Sequence, residues 1–151
     1  MFLLNMAFPL PEQPSIAVLP FTNLNDDPEQ DYFSDGISED IITGLSNIRW
    51  FLVIARNSTF TYKGQAVDIK RVAAELGVRY VLEGSVRRAG SRVRVTAQLI
   101  DASSGLHVWA EHYDRELQDI FDLQDEITLT IVGRVEPEMA AAEREKAISR
   151  R

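Results

Sequence analysis

The sequence contains no cysteine, and this absence removes several classes of chemistry at once. Disulfide bonds, thiolate nucleophiles and zinc sites built on cysteine are all excluded. A glycine-rich phosphate loop and a serine in a nucleophile elbow are also missing, since Gly84 and Ser85 lie within an apolar run. We therefore expect no catalytic residue, no metal site and no cofactor.

Basic residues are too few for a general phosphate-binding surface. The chain of 151 residues has 16 Lys and Arg against 23 Asp and Glu, which gives a formal net charge of −7. Proteins that bind nucleic acid ordinarily carry a basic stripe or face. We therefore expect no nucleic-acid partner.

The N-terminal segment MFLLNMAFPL is apolar, but it is too short to span a bilayer. It also lacks the cationic region and the small-residue cleavage site of a secretory signal. We expect residues 1–14 to be a linker or start-site remnant, with no membrane insertion and a cytoplasmic location for the chain.

The centre of the chain contains three apolar runs separated by two short polar breaks. The runs are Tyr80–Arg87, Arg92–Asp101 and His107–Tyr113, and the breaks contain Gly90 and Gly105. Glycine there permits the positive φ that hairpin connections often require. Because a parallel crossover needs a dozen residues or more, connections this short join antiparallel neighbours. The pattern predicts a three-stranded meander.

The middle strand of this meander alternates strictly between apolar and polar residues. One face carries Val93, Val95, Ala97 and Leu99, and the other carries Arg92, Arg94, Thr96 and Gln98. We therefore expect Val95 and Leu99 to lie in the core and Arg94 to lie on a more polar face.

Two further apolar runs, residues 15–21 and 50–55, are typical of strands covered on both faces of a sheet. Each run is followed by a polar stretch without periodicity, residues 22–27 and 56–64. We expect both stretches to be loops.

Three aspartates precede apolar stripes with three- and four-residue spacing, and they predict helix N-termini at Asp27, Asp68 and Asp119. Gly77 is placed to end the second helix in a left-handed conformation. Pro137 should end or kink the third helix, because proline lacks the amide hydrogen that the helix needs.

The order of these elements predicts an α/β fold, a three-layer α/β/α sandwich. Right-handed crossovers make the first three strands parallel, and the two hairpins then reverse only the fourth. The predicted sheet is therefore mixed and five-stranded, with strand 4 antiparallel. We expect the domain to span residues 15–135, followed by a helical tail or linker over residues 136–151.

The stretch Arg56–Lys63 is the main candidate for a binding site. It follows the carboxyl end of a presumed parallel strand, where open α/β sheets often place ligand sites, and Phe21–Asn23 should emerge at the same edge. The candidate residues are Arg56, Asn57, Ser58, Phe60, Tyr62 and Lys63. Their donors and aromatic rings suit an anion or a peptide. Alternatively, the aromatic side chains only pin the loop against the sheet.

The segment around His107 is the only cluster with metal-like residue types, and it also contains Glu111, His112 and Asp114. Residues four apart on a strand lie about 13 Å apart, so His107 and Glu111 cannot share an ion. We interpret this segment as a polar and aromatic sheet edge.

Arg87, Arg88, Arg92 and Arg94 form a basic hairpin end on an otherwise acidic chain. Two interpretations stay open. The arginines meet an acidic partner, or they keep the ends of the strands soluble.

Six segments between residues 14 and 131 together carry a resemblance to a known module: PSIAVLPF, DYFSDGISEDIITGLS, VIARNSTFTYKG, ELGVRYVLEGSVRR, RVTAQLIDASSGLHVWAEHYDR and IFDLQDEIT. They resemble the TolB-like amino-terminal domain of large bacterial signalling proteins. The resemblance implies an anticodon-binding-domain-like α/β/α fold with one antiparallel strand, and it supplies no catalytic residues.

In that family the domain lies between an output unit and C-terminal tetratricopeptide repeats, and the output is a class III adenylate or guanylate cyclase or a winged-helix DNA-binding domain. The chain lacks both flanks, so we expect an excised domain or a short reading frame of the same type. We predict a non-enzymatic interaction and signal-coupling domain whose partners are proteins or neighbouring domains. The alternatives are a small-molecule ligand sensor, a fragment of an adenylate or guanylate cyclase, and an RNA binder.

Overall fold

The structure is a computed structural model that describes residues 13–149, so most of the predicted N-terminal linker lies outside the described residues. The strands are β1 Ser15–Val18, β2 Thr22–Asn23, β3 Leu52–Val53, β4 Tyr80–Ala89, β5 Arg92–Asp101 and β6 Leu106–Glu116. The helices are α1 Pro28–Ser46, α2 Arg56–Thr59, α3 Ile69–Leu76 and α4 Ile120–Ser149, with a 3-10 turn at Phe60–Tyr62.

Within residues 13–149 these strands form one mixed sheet in the order β3-β1-β4-β5-β6, and β2 pairs beside β1 with β4. Strands β1, β3 and β4 are parallel, β5 is antiparallel to β4, and β6 is antiparallel to β5. The predicted mixed α/β sheet is therefore confirmed, and β5 is the predicted antiparallel strand. The sheet has six strands where the sequence predicts five.

The sixth strand, β2, lies in a stretch that we expected to be a loop. Thr22 pairs with Ser85 and Asn23 pairs with Val86 in the parallel ladder. Pro20 carries no amide hydrogen, so the first predicted strand is interrupted there and resumes two residues later. The loop prediction is wrong at these two positions.

Strand β3 is shorter than the predicted strand at residues 50–55, because it contains only Leu52 and Val53. The amide of Phe51 donates to the carbonyl of Ile48 at 3.2 Å, which closes a turn after α1. At the other end Ala55 already serves as the N-cap of α2. Turns on both sides therefore limit the pairing of this edge strand.

Helices cover both faces of the sheet and create two hydrophobic cores. The larger core, against α1 and α4, includes Ile16, Val18, Ile37, Ile41, Leu82, Val95, Leu99, Ile127 and Ile131. The smaller core, against α3, contains Ala17, Leu19, Val72, Ala73, Val78, Val81 and Ala102. Val95 and Leu99 are buried, whereas Arg94 is half-exposed, so the predicted register of the meander is confirmed.

The predicted helix starts are also confirmed. Asp27 accepts a hydrogen bond from the amide of Glu29, and Asp68 accepts one from Lys70. Asp119 accepts from the second and third amides of α4, each at 3.0 Å. These caps satisfy amides that would otherwise lack partners at the helix N-termini.

Helices α1 and α4 approach each other closely at Gly36. A Cβ atom at that position would lie 2.5 Å from Nε2 of Gln124 on α4. Glycine therefore permits this helix contact, and α1 runs unbroken through Gly36.

Helix α4 does not end at Pro137; it continues to Ser149. Val135 and Met139, on either side of the proline, are both fully buried in the larger core. Apolar burial of this kind offsets the hydrogen bond that a proline removes from a helix. Neither α4 nor any other helix within residues 13–149 is long and apolar enough to cross a membrane.

Candidate functional site

The candidate stretch at residues 56–63 is mostly helical, so the prediction of an irregular loop is wrong. Helix α2 and the 3-10 turn follow each other without a break. Ser58 donates from its amide to the carbonyl of Ala55, and the buried Thr59 hydroxyl donates to the carbonyl of Arg56. Such local side-chain bonds stabilise short turns without apolar periodicity, and for that reason the sequence pattern does not reveal them.

The two cations of this stretch are paired with carboxylates of α1. Nζ of Lys63 lies 2.6 Å from Oδ2 of Asp35, and this hydrogen bond raises the pKa of Lys63. Arg56 forms an ion pair with Glu39, and its guanidinium carbon lies 4.1 Å from the centre of the Phe60 ring. The positive charge that we expected to attract an anion is therefore largely compensated within the chain.

Tyr62 connects the same turn to α3 on the other side. Its hydroxyl donates to Oε1 of Glu75 at 2.5 Å. This hydrogen bond raises the pKa of Tyr62 and lowers the pKa of Glu75. The candidate stretch is thus held to both of the helices that flank it in sequence.

A cleft of about 530 Å³ opens beside this turn, at the carboxyl end of β1. Tyr62 and Lys63 line it together with Phe21, Thr22 and Asn23, as the predicted position at the sheet edge requires. The other predicted site residues, Arg56, Asn57, Ser58 and Phe60, lie outside the lining. Residues that the sequence did not point to, Gln65 and the carboxylates of Asp31 and Glu83, complete it.

The floor of the cleft depends on contact between Phe21 and Gly84. A Cβ atom on Gly84 would lie 2.5 Å from the Phe21 ring and 2.2 Å from the carbonyl of Thr96, so a larger residue would displace the ring. The amide of Phe21 donates to the buried hydroxyl of Ser38 at 2.8 Å. Helix α1 and strand β4 together set the position of the Phe21 ring in the floor of the cleft.

The polar groups of the cleft already bond within the chain. Asn23 donates to Asp31 at 2.8 Å, and Gln98 donates to Glu83 at 2.5 Å. The cleft therefore presents two carboxylates and one lysine that is paired with Asp35. This balance suits a ligand that offers hydrogen-bond donors better than it suits an anion.

The histidines of β6 do not contribute to the cleft. His107 and His112 are both exposed, and a β-bulge separates the Leu99–Trp109 pair from the Ile100–His107 pair. In the described part of the chain, no group of three or more His, Asp or Glu side chains could hold a metal ion.

Sequence reasoning missed a charged cluster at the opposite end of the sheet. The Tyr80 hydroxyl donates to Glu143 at 2.5 Å, Arg79 donates to the same carboxylate, and Nζ of Lys146 lies 3.0 Å from Asp101. Burial and the bond to Glu143 raise the pKa of Tyr80. Burial alone would raise the pKa of Asp101, but bonds from Ser103 and Lys146 lower it.

This cluster holds the last turns of α4 against β4 and β5, beside a cavity of about 620 Å³ between α4 and the start of β6. The sequence signal was weak, because the tail is rich in Ala, Glu, Lys and Arg, and such residues ordinarily form a solvated face.

Comparison with known proteins gives a family match over residues 12–130, to the family described as "HilA/YgeH-like transcriptional regulator, second domain". The chain is also 60% identical over 141 residues to a protein of Rhizobium meliloti (strain 1021) named "Putative adenylate cyclase 3". That match covers 93% of this chain and 24% of the relative, so the chain spans about a quarter of the relative's length.

Solved structures that share the fold include two bacterial proteins. TolB from Acinetobacter baumannii is 18% identical, with a TM-score of 0.55 over 80% of this chain and 28% of that protein. Lipoprotein GNA1162 from Neisseria meningitidis is 20% identical, with a TM-score of 0.58 over 81% of this chain and 96% of that protein. The resemblance to TolB-like domains is therefore confirmed at the level of the fold.

Proposed function

This chain belongs to the HilA/YgeH-like transcriptional regulator second-domain family, and on that premise we propose that it is a non-enzymatic interaction and signal-coupling domain of a bacterial signalling protein. The observation that carries the proposal is the 60% identity to a segment that makes up only 24% of a longer protein. A segment that folds around its own two cores and recurs inside a longer chain has the properties of a domain.

The geometry of the candidate site supports an interaction function over chemistry. The carboxylates of Asp31 and Glu83 accept hydrogen bonds from neighbouring amide side chains, and the ammonium group of Lys63 is paired with Asp35. These bonds fix the shape of the cleft wall. Each carboxylate keeps further acceptor sites, which are suited to hydrogen-bond donors of a bound partner.

The partners in this proposal are protein domains of the same or an associated polypeptide. From the resemblance, these are a cyclase or DNA-binding output domain and tetratricopeptide repeats. The name of the Rhizobium meliloti relative supports a cyclase as the output, and the family description supports a regulatory role. We place the chain in the cytoplasm, where cyclases and transcriptional regulators find their substrates and targets.

A second candidate function is a small-ligand sensor, and the cleft favours it. At about 530 Å³ the cleft lies within the size range of small-molecule sites, and Tyr62 and Phe21 supply aromatic lining. A sensor would bind its ligand through the cleft alone, whereas an interaction domain would bind a protein surface.

The test uses the isolated chain and the Rhizobium meliloti relative with its matching segment deleted. We expect the chain to bind the deleted protein in trans, and we expect the relative's own segment to compete. No binding by calorimetry would overturn the coupling function. In the same preparations the isolated chain, supplied with ATP or GTP and a divalent metal, should form no cyclic nucleotide. Turnover that is abolished by changing one acidic residue would show that the domain is an enzyme.

A further inference from the structure

The tip of the β4–β5 hairpin places four arginines around one shallow groove. The groove has a volume of about 390 Å³ and shares no lining residue with the cleft at the end of β1. Its lining consists of Leu24, Asn25, Arg87, Arg88, Ala89, Arg92, Val93, Arg94 and Asp114. Four arginines therefore face one aspartate on a chain whose net charge is −7.

Carboxylates balance the positive charge of only some of these arginines. Arg94 makes two hydrogen bonds to Asp114, at 2.7 and 2.9 Å, and Arg92 lies 3.5 Å from the same carboxylate. Within residues 13–149, Arg87 and Arg88 form no ion pair, and the Arg88 guanidinium donates only to the carbonyl of Gly90.

The register of the strands places a further arginine beside the Arg94–Asp114 pair. Arg87 lies directly opposite Arg94 in the β4–β5 ladder. Like charges in directly opposed positions destabilise an antiparallel pair. Asp114 is the one carboxylate beside Arg92 and Arg94, so Arg87 adds positive charge that the lining of the groove does not balance.

The backbone of the groove is held in place. Asn25 exchanges two hydrogen bonds with the main chain of Arg88, at 2.7 and 3.0 Å, and Leu24 donates from its amide to the carbonyl of Val86. The loop after β2 thus fixes one wall of the groove. The side chain of Leu24 is 54% exposed beside the arginines and offers an apolar contact.

We propose that this groove binds an acidic peptide segment of a partner protein, with carboxylates at Arg87 and Arg88 and an apolar side chain against Leu24. The inference extends the interaction function proposed above by naming the chemistry of one partner. Arginine binds a carboxylate through two parallel hydrogen bonds, and the Arg94–Asp114 pair already shows that geometry. Nucleic acid fits less well, because a net charge of −7 disfavours a long polyanion more than a short acidic segment.

The experiment measures fluorescence anisotropy of a labelled peptide of alternating glutamate and leucine, titrated with the isolated chain at low and at physiological ionic strength. Matched probes are the same peptide with glutamine for glutamate and a short DNA duplex. The test variant carries Arg87→Ala and Arg88→Ala. The control variant carries Lys70→Ala and Arg71→Ala on α3, which changes the net charge by the same amount.

We expect the acidic peptide to bind, the hairpin variant to lose about tenfold or more in affinity, and the α3 variant to bind like the unchanged chain. We also expect Arg87→Ala to leave Tm unchanged or raise it, because it removes the repulsion from Arg94. If the double variant does not fold, Arg87→Gln replaces it. Equal binding by the hairpin variant, equal binding of the glutamine peptide, or tighter binding of DNA would overturn the proposal. This assay needs no neighbouring domain, so its result is independent of the trans-binding test.

Discussion

Lys63 and Asp35 join the candidate site to the first helix, with Nζ and Oδ2 at 2.6 Å. The second cation of the stretch, Arg56, pairs one helical turn further along α1 with Glu39. Because the two carboxylates are four residues apart, they lie on the same face of the helix. The turn at residues 56–63 is therefore held along one side of α1.

The double change Arg56→Ala and Lys63→Ala should separate bracing from binding. Both ion pairs are partly exposed, with side chains of 43–45% exposure on the cations, so each should contribute at most about 1 kcal/mol. We expect a slightly lower Tm. We also expect weaker binding to the Rhizobium meliloti relative from which the matching segment has been deleted. Circular dichroism, melting and binding are measured on the same samples.

Lys70→Ala with Arg71→Ala is the matched control for that experiment, because both residues are exposed cations outside the cleft lining. Unaltered binding together with a lower Tm would assign the turn a structural role only.

The register of the meander predicts unequal effects for two positions on opposite faces of β5. Leu99 is fully buried in the larger core, so Leu99→Ala should lower the free energy of unfolding by about 2–5 kcal/mol. Arg94 is half-exposed, and Arg94→Ala should cost far less. Urea denaturation of both variants measures the difference, and equal losses would show that the assigned faces are wrong.

The fold was predictable where local chemistry decides it. Strict alternation from Arg92 to Leu99 and positive-φ glycines at Gly90 and Gly105 specify hairpins and their faces without help from distant residues. Strand β2 could not be predicted, because a strand of two residues is too short to show an alternating apolar pattern. Its pairing depends on where β4 lies. The continuation of α4 past Pro137 likewise depends on the burial of Met139, a tertiary effect.

The candidate site was predictable in position and much less so in chemistry. The rule that sites form at the carboxyl edge of parallel strands placed Tyr62, Lys63 and Phe21 around one cleft. The partner of Lys63 could not be inferred, since Asp35 lies 28 residues earlier and the rotation of α1 is set by packing. For the same reason the charge balance of the cleft emerges only in three dimensions.

The last turns of α4 should contribute to stability as part of the core. Met139 is fully buried, and Met139→Ala should lower the free energy of unfolding by about 2–5 kcal/mol. Ile148, 65% exposed on the same helix, is the control, and Ile148→Ala should change stability by about 0.5 kcal/mol or less. If chemical denaturation gives the two variants the same stability, the helix beyond Pro137 does not support the fold.

Asp114 should contribute to the loss of folding stability that the domain shows as the pH falls. The hydrogen bonds from Arg94 lower the pKa of Asp114 from 3.8 to about 2. Because the folded-state pKa lies below the unfolded-state value, this stabilisation is present above pH 3.8 and is lost as the pH falls towards 2. Asp114→Asn should therefore destabilise the chain more at neutral pH than near pH 2.

Urea denaturation at both pH values measures that difference, and the double variant Arg94→Ala with Asp114→Asn serves as its control. In the Arg94→Ala background, the added Asp114→Asn change should show little dependence on pH. If Asp114→Asn alone lowers the free energy of unfolding by the same amount at both pH values, the proposed role of the Arg94–Asp114 pair is contradicted.

The central claim is that this chain couples other domains of a signalling protein. The most direct measurement is cyclic-nucleotide synthesis by three forms of the Rhizobium meliloti relative: intact, with the matching 141-residue segment deleted, and with that segment replaced by this chain. We predict that deletion changes the output and that the replacement restores it, because the two segments are 60% identical. An output that is the same in the deleted and intact proteins would contradict the claim.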